Sequence, residues 1–396
     1  MRYEHIVSDQ HLRDFCQTIA AAPILAFDTE FVSEDSYQPE LCLIQLAADG
    51  QLAIVDPLEV DLAPLWDLLV QAGRQTLVHA GREEFRFIRK HTGQRPASWF
   101  DVQIAAGLIG MEYPASYGTL SAKLLGRVLP KDETRTDWRR RPLTQRQLEY
   151  ALQDVAELDQ IRTALHRRLS ELGRLEWLEA ELADWQRELE EYEDGERWQR
   201  TAGIAGLSLR SLAIVRELWH WRDAEAQRRN VPTRRVLRDD LLIEIAKRQT
   251  ADPKRIRAVR GMERGDLQRY LPKIGQCVEE GLALKESELP RLPRKSSRPQ
   301  LNLLGQFLST ALGSICRRAE VAPSLAGTAQ DVRDLIAYRL NLGGFAPGEV
   351  PLLARGWRAE VVGQAIDHLL AGDLSIRIGD PLSDEPLEFE RKNRSP

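Results

Sequence analysis

Residues 24–47 read ILAFDTEFVSEDSYQPELCLIQLA, and this stretch decides the fold of the first part of the chain. Its opening run, residues 24–27, is typical of the end of a buried strand. Two acids, Asp28 and Glu30, follow one residue apart. Because side chains alternate across a strand, both carboxylates face the same side of the sheet. Neighbouring carboxylates repel each other unless a cation lies between them, so the stretch predicts a positively charged partner here.

The length and composition of the chain restrict its class. A chain of 396 residues is too long for one small core and predicts two or three domains. It contains no 18-residue apolar run and does not open with a signal-like segment, so we expect a soluble, cytoplasmic protein with no membrane partner. Its four cysteines are scattered without a C-x-x-C pair, which indicates reduced core residues. We expect a monomer.

The distribution of charge is uneven. The whole chain has a formal net charge of −5, which by itself disfavours a nucleic-acid binder. Residues 197–300, however, contain 24 Lys and Arg against 13 Asp and Glu. This segment is therefore predicted to present a surface that binds phosphate groups.

The order of predicted elements gives the architecture. Patterns of apolar residues and turn residues predict strands at 24–30, 41–47, 52–55 and 76–81, with helices at 62–72 and 82–93. A strong helix follows from residue 145, with Thr144 and Gln147 forming a capping box at its start. The order predicts a mixed sheet with helices on its faces, an α/β domain over residues 1–165.

The rest of the chain has the composition of helices. We expect a helical connector at 166–206, an all-α domain at 207–290, a linker at 291–300, a second all-α domain at 301–375 and a loose tail at 376–396.

Acidic residues from three distant segments of the first domain are predicted to converge. Asp28 and Glu30 end a strand, Glu84 opens a helix, and Tyr150 and Asp154 share one helix face because they are four residues apart. Oxygen ligands of this kind favour Mg²⁺ or Mn²⁺. Two such ions about 3.5–4 Å apart hold the attacking and leaving oxygens of a phosphodiester. We therefore predict a catalytic pair of metal ions as the missing positive partner.

Each of these features also has a structural explanation when taken alone. Carboxylates at a helix start, such as Glu83 and Glu84, are stabilised by the helix dipole. His79 is predicted to be a buried, hydrogen-bonded histidine, and Asp101 is expected to organise structure. The prediction of a catalytic site therefore depends on the combination of the three segments.

Several segments together resemble the ribonuclease D family, in the DEDD superfamily of 3′→5′ exonucleases. They are FDTEFVSEDSYQPELCLIQLA (27–47), HAGREEFRFI (79–88), FDVQIAAGL (100–108) and ETRTDWRRRPLTQRQLEYALQDV (133–155). The resemblance implies a ribonuclease-H-like fold with two divalent ions. It also implies trimming of RNA 3′ ends, transfer RNA precursors included, with release of nucleoside 5′-monophosphates.

The same resemblance implies a role for each candidate residue. Asp28 would contact both metals, Glu30 and Asp154 would complete the shell of the first, and Tyr150 would position the attacking water. Glu84 departs from the family pattern, which usually has aspartate at this position. The extra methylene group puts metal preference and rate in question.

Residues 212–282, which begin LAIVRELWHWRDAEAQRRNVPTRRVLRDDLLIEIA, resemble an HRDC domain, and residues 301–375 resemble a second, weaker copy. Arginines in this domain and before Tyr150 are candidates for phosphate contacts that read no sequence. They are Arg135, Arg139, Arg228, Arg229, Arg234 and Arg235. The alternative for each is a solvated face with ion pairs.

Two other functions stay open at this stage. The first is a DNA 3′→5′ exonuclease, since the same metal chemistry cleaves either nucleic acid. The contacts to the 2′-hydroxyl that would distinguish RNA from DNA have no recognisable sequence pattern here. An RNA-binding protein whose nuclease site has decayed at Glu84 is the second alternative. A helicase is disfavoured because the sequence has no G-x-x-x-x-G-K-[ST] loop.

Overall fold

The computed structural model describes residues 2–129, 136–292, 299–343, 345–346 and 348–391. Within these ranges the first part of the chain forms one six-stranded sheet. Its strands are β1 (Glu4–Ile6), β2 (Ile24–Val32), β3 (Glu40–Ala48), β4 (Gln51–Val55), β5 (Gln75–Val78) and β6 (Trp99–Asp101). Their order is β1-β4-β3-β2-β5-β6, with β2, β3 and β4 antiparallel and the remaining pairs parallel. The predicted mixed sheet is confirmed.

Helices cover the sheet. They are α1 (Asp9–Thr18), α2 (Ala63–Val70), α3 (Arg82–Thr92), α4 (Val102–Gly107), α5 (Tyr117–Leu125), α6 (Gln145–Ala156) and α7 (Leu158–Glu171). Helix α6 lies across β2, β3 and β4. Its residues Leu148, Ala151 and Leu152 bury a small apolar cluster against Leu43 and Ile54 of the sheet. The sequence analysis predicted neither β1 nor α1; β1 has only three residues, which is too short to show a period.

Helix α6 begins as predicted but ends earlier. The Thr144 side chain accepts a hydrogen bond from the Gln147 backbone, and the Gln147 side chain accepts one from the Thr144 backbone, so the capping box is confirmed. The helical pattern of the sequence continues to residue 165, but in the structure the helix breaks at Glu157. The Glu157 N–H donates to the Tyr117 hydroxyl at 3.2 Å, and its carboxylate accepts from Ser121 at 2.5 Å. These contacts stabilise the end of α6 at Glu157, so α6 and α7 are two separate helices.

The predicted helical connector packs against the sheet domain. The chain turns at Gly173, where φ is 68°, and continues as α8 (Leu175–Asp194). A side chain there would be strained, which is why glycine occupies this turn. Trp185 of α8 stacks on Trp99 and meets the edge of Phe85, with ring centroids 6.3 Å and 5.7 Å apart. Helix α8 therefore belongs to the core of the first domain.

An all-α unit follows. Its helices are α9 (Leu209–Arg229), α10 (Thr233–Val236), α11 (Asp239–Arg248), α12 (Pro253–Arg257), α13 (Gly265–Gln268) and α14 (Leu271–Ala283). Their apolar residues form a core separate from that of the sheet domain, and Trp198, which is 1% exposed, belongs to it. The expected linker lies mostly outside the described residues, and the next helix begins at Pro299.

The last part of the chain is helical and then ends in strands. Its elements are α15 (Pro299–Arg318), α16 (Pro323–Ala326), α17 (Ala329–Arg339), α18 (Gly356–Arg358), α19 (Gln364–Ala371), β7 (Leu374–Ile378) and β8 (Leu387–Arg391). Strands β7 and β8 form an antiparallel hairpin where a loose tail was expected. Ile376 and Phe389 of the hairpin pack on the main core, and Arg318 lies 4.8 Å from the Phe389 ring. This burial explains why the segment is ordered.

The C-terminal helices share their hydrophobic core with the sheet domain. Polar contacts reinforce this joint. Arg174 donates to the carbonyl oxygens of Leu108 and Glu320, each at 2.7 Å. Arg358 forms a two-pronged ion pair with Glu181 at 2.6 and 2.7 Å, and both side chains are about nine-tenths buried. No helix in the described ranges is both long and apolar enough to cross a membrane.

Candidate active site

Strand β2 places the first two candidate residues. Asp28 pairs with Gln45 of β3, and Glu30 pairs with Leu43, so both acids face the side of the sheet that α6 covers. The register shifts between Glu30 and Phe31, a bulge that ends the regular pairing directly after the second acid. Both carboxylates are half-buried.

A tight turn after β5 places Glu84. Gly81 directly precedes α3 and packs tightly against the end of β5. A Cβ atom at this position would lie 2.4 Å from a Val78 methyl group. The Asp101 carboxylate accepts hydrogen bonds from the backbone of Ala80 and Gly81, at 3.1 and 3.0 Å, and so holds this turn. The expected structural role of Asp101 is confirmed. Glu84 is 4% exposed as a result.

Helix α6 supplies Tyr150 and Asp154 from above the sheet. Both are half-buried. The Tyr150 ring stacks on Trp138 with centroids 6.4 Å apart and planes 26° from parallel. Trp138 is buried, so the stack fixes the tyrosine ring on the face of α6 toward the cluster with Leu43. His79 is hydrogen-bonded to the carbonyl oxygen of Ala115 at 2.9 Å, as a structural histidine.

The four carboxylates influence one another electrostatically. Burial, and then repulsion from Glu84, Asp154 and Glu30, raises the pKa of Asp28 well above its ordinary value. Burial followed by repulsion from Asp154 and Glu84 raises the pKa of Glu30 to about 8. The acids of the three chain segments therefore lie near enough to one another to interact electrostatically.

The other two acids are also perturbed. Burial raises the pKa of Asp154 to about 7. Burial raises the pKa of Glu84 to about 7 as well, although a hydrogen bond from Thr29 opposes this shift. Carboxyl groups with raised pKa values in one cleft are typical of functional sites. Such a site either takes up protons or binds a cation.

The chemistry of the donor set suits a hard divalent cation, because it consists of carboxylate oxygens. Among the described residues, none of Asp28, Glu30 and Asp154 forms an ion pair with a basic side chain. In the observed rotamers, no three acidic, histidine or cysteine side chains within the described ranges are gathered closely enough to hold a metal ion. The Glu84 carboxylate is instead turned toward Thr29.

Sequence reasoning missed Gln45, the residue directly across from Asp28. Its side chain is fully buried, and within the described residues neither its amide nitrogen nor its oxygen has a hydrogen-bond partner. A buried amide without a partner is costly. The signal was present in the sequence, because a glutamine interrupts an otherwise apolar strand in LCLIQLA.

The predicted phosphate-binding arginines differ in their surroundings. Arg135 lies outside the described residues. Arg139 pairs with Asp137 at 2.8 Å, and Arg228 pairs with Glu225 at 2.7 Å. Arg229 donates to the Tyr270 hydroxyl at 2.7 Å. The last two, Arg234 and Arg235, reach the first domain.

Comparisons with known proteins identify the family. Residues 3–170 match the family model described as a 3′-5′ exonuclease, and residues 211–278 match the HRDC domain. Fold and sequence thus define a 3′–5′ exonuclease that carries an HRDC domain. The chain is 32% identical to ribonuclease D of Granulibacter bethesdensis and 34% identical to that of Gluconacetobacter diazotrophicus, each over 94% of both chains. The chain belongs to the ribonuclease D family.

A solved structure extends this result to the whole fold. The crystal structure of Escherichia coli RNase D, described as an exoribonuclease involved in structured RNA processing, is 27% identical in sequence. It superposes with a TM-score of 0.81, over 94% of this chain and 99% of that one. The expected fold class and nuclease class are confirmed.

Proposed function

We propose that this nuclease removes nucleotides from the 3′ ends of RNA, structured precursors such as those of transfer RNA included. The observation that carries the proposal is the group of four mutually repelling carboxylates at β2, α3 and α6, without a basic partner among the described residues. The Escherichia coli relative, described as acting in structured RNA processing, supports RNA as the substrate.

The residues that would hold the metals are Asp28, Glu30, Glu84 and Asp154. When bound, two Mg²⁺ or Mn²⁺ ions stabilise negative charge on the attacking and leaving oxygens of a phosphodiester. Asp28 lies at the centre of the electrostatic group, since its pKa responds to all three other acids. On this proposal Asp28 would contact both ions, Glu30 and Asp154 would complete the ligands of one, and Glu84 would serve the other.

Tyr150 would orient the attacking water. Its hydroxyl accepts a hydrogen bond from the water, whose oxygen then bonds to the terminal phosphorus. The water gives up one proton to solvent, the bond between phosphorus and the 3′-oxygen breaks, and that oxygen takes a proton from solvent. The products are a nucleoside 5′-monophosphate and an RNA shorter by one residue. The stack on Trp138 holds the tyrosine ring for this role.

The arginines of the HRDC domain would bind the RNA upstream of the cleaved bond. Arg228 is 70% exposed in its side chain, and Arg229 lines a cavity of about 370 Å³ with four other arginines. Such contacts bind phosphates without reading bases. We expect the affinity for RNA to fall steeply with salt for this reason.

The test is a digest of matched RNA and DNA oligonucleotides with free or blocked 3′ ends, in Mg²⁺ or Mn²⁺. We expect stepwise shortening of single-stranded RNA with a free 3′ end, and none after addition of EDTA. Asp28→Ala should abolish shortening, while Asp14→Ala, on the exposed face of α1, should leave it unchanged. Equal digestion of DNA would instead support a DNA exonuclease. RNA binding without digestion would indicate a decayed site.

A further inference from the structure

The loop between β2 and β3, residues 33–39, contacts the HRDC domain. The Tyr37 hydroxyl donates to Asp223 at 2.8 Å, and the Tyr37 N–H donates to the Asn230 side chain at 3.2 Å. Asp223 and Asn230 lie on and directly after α9. The loop begins three residues beyond Glu30, so the strand that carries the catalytic acids continues into a joint with the second domain.

Asp35 of this loop lies between two arginines from different domains. Its carboxylate pairs with Arg235 of α10 and lies 4.0 Å from Arg139. Arg139 follows Trp138, the residue that stacks on Tyr150. Beside this contact, Arg234 donates to the Glu34 carbonyl oxygen at 3.4 Å. One carboxylate thus joins two arginines that the sequence independently marks as candidates for phosphate contacts.

The surroundings of Asp35 on the HRDC side are strongly basic. Arg235 borders the cavity of about 370 Å³, whose lining includes Arg229, Arg234, Arg238 and Arg264. Asp35 reaches this arginine-rich rim from the other domain. The side chains of Asp35, Arg139 and Arg235 are 50%, 39% and 54% exposed, so the contact is open to solvent and to a ligand.

We propose that Asp35 occupies the position of a substrate phosphate, and that a phosphodiester of the RNA displaces it to bind between Arg139 and Arg235. This inference rests on RNA being the substrate. Carboxylates and phosphodiesters both offer two oxygens to the planar guanidinium group, so one can replace the other. Exposed ion pairs contribute about 0–1 kcal/mol, so displacement is easy. The Tyr37 contacts keep the loop in place after Asp35 moves.

Two variants give opposite effects under this proposal. Binding of a fluorescent single-stranded RNA to the full chain in EDTA is followed by anisotropy over a range of salt concentrations. Asp35→Asn should bind RNA roughly threefold to fivefold more tightly, because the carboxylate on Arg235 is lost while Asp137 stays paired with Arg139. Arg235→Gln should bind more weakly and lower the slope of log affinity against log salt by about 0.7, the value for one phosphate contact on a single strand.

Trimming kinetics provide a second measurement. With Mg²⁺, Asp35→Asn should lower KM and leave kcat unchanged, because the site binds RNA and takes no part in the chemistry. The matched control is Asp367→Asn, which breaks a similarly exposed pair with Arg339 on the C-terminal helices and should change neither quantity.

The outcomes separate the possible explanations. If both variants weaken RNA binding equally, the Asp35 pair is only a tie between domains and the proposal is overturned. Unchanged binding in both variants overturns it as well. If the wild type neither binds nor trims RNA, the proposed function fails together with this inference, whereas the first two results leave that function intact.

Discussion

The Thr29 hydroxyl donates a 2.5 Å hydrogen bond to the Glu84 carboxylate. Thr29 lies between the two acids of β2, and Glu84 lies in the first turn of α3, so the bond connects two of the three segments of the site. Both side chains are buried. The Glu84 carboxylate therefore reaches this hydroxyl at a position where the family pattern leads one to expect aspartate.

Glu84→Asp should therefore lower activity. The shorter side chain loses the Thr29 hydroxyl, and a hydrogen bond to a charged group contributes about 1.5–3 kcal/mol, so kcat/KM should fall roughly tenfold or more. Thr29→Val, which keeps the glutamate and removes only the donor, should show a similar loss. A large increase for Glu84→Asp in single-turnover RNA trimming would mean that glutamate has weakened the site.

The raised pKa values predict how metal-free stability depends on pH. The folded protein holds protons on Glu30, Glu84 and Asp154 up to about pH 7–8, while the unfolded chain has released them above pH 4–5. Stability should therefore fall as pH rises through this window. Mg²⁺ should restore it at pH 8.5 and have little effect at pH 6.

Thermal unfolding with EDTA or Mg²⁺ at the two pH values measures this effect. A change in Tm of about 2–4 °C corresponds to roughly 1 kcal/mol for a domain of this size. Glu30→Gln is the matched control, because it removes one titrating group and should flatten the pH dependence. An identical pH dependence in the variant would contradict the assignment.

Gln45→Leu should separate stability from activity. The leucine side chain removes a buried amide without a hydrogen-bond partner, which costs about 1–3 kcal/mol, so Tm should rise. The amide is the polar group opposite Asp28, so RNA trimming should fall at the same time. A variant that is less stable in urea or thermal unfolding would show that Gln45 has a partner in solution.

Glu181→Ala should strongly destabilise the protein. It leaves Arg358 charged and buried without its carboxylate, a loss of about 3–5 kcal/mol. The exposed Glu171→Ala, which breaks surface pairs with Arg167 and Arg168, should cost at most about 1 kcal/mol. Denaturant unfolding measures both. Similar losses for the two variants would contradict a special role for the buried pair.

Local chemistry made much of the fold predictable from the sequence. The capping box at Thr144, the strand that carries Asp28 and Glu30, and the helix start at Glu84 each depend on neighbours a few residues away. The break at Glu157 depends on Tyr117 and Ser121, which lie 40 and 36 residues away. The hairpin of β7 and β8 depends on burial against the main core. Periodicity within a segment does not reveal such partners.

The partners of the candidate phosphate-binding arginines were likewise not predictable from local sequence. A basic cluster identifies Arg234 and Arg235, but their contacts with Glu34 and Asp35 span 200 residues of sequence. Gln45 was visible as a polar residue in an apolar strand, yet its position opposite Asp28 requires the register of β2 and β3.

The distribution of the two hydrophobic cores has a consequence for how the chain can be divided. The HRDC unit encloses its own apolar interior, whereas the helices after residue 299 complete the interior of the sheet domain. The HRDC unit in the middle of the chain therefore has an independent core, whereas the segments before and after it share one core. A truncation before residue 299 would not trim an accessory piece from the enzyme but would expose the inside of its catalytic half to water.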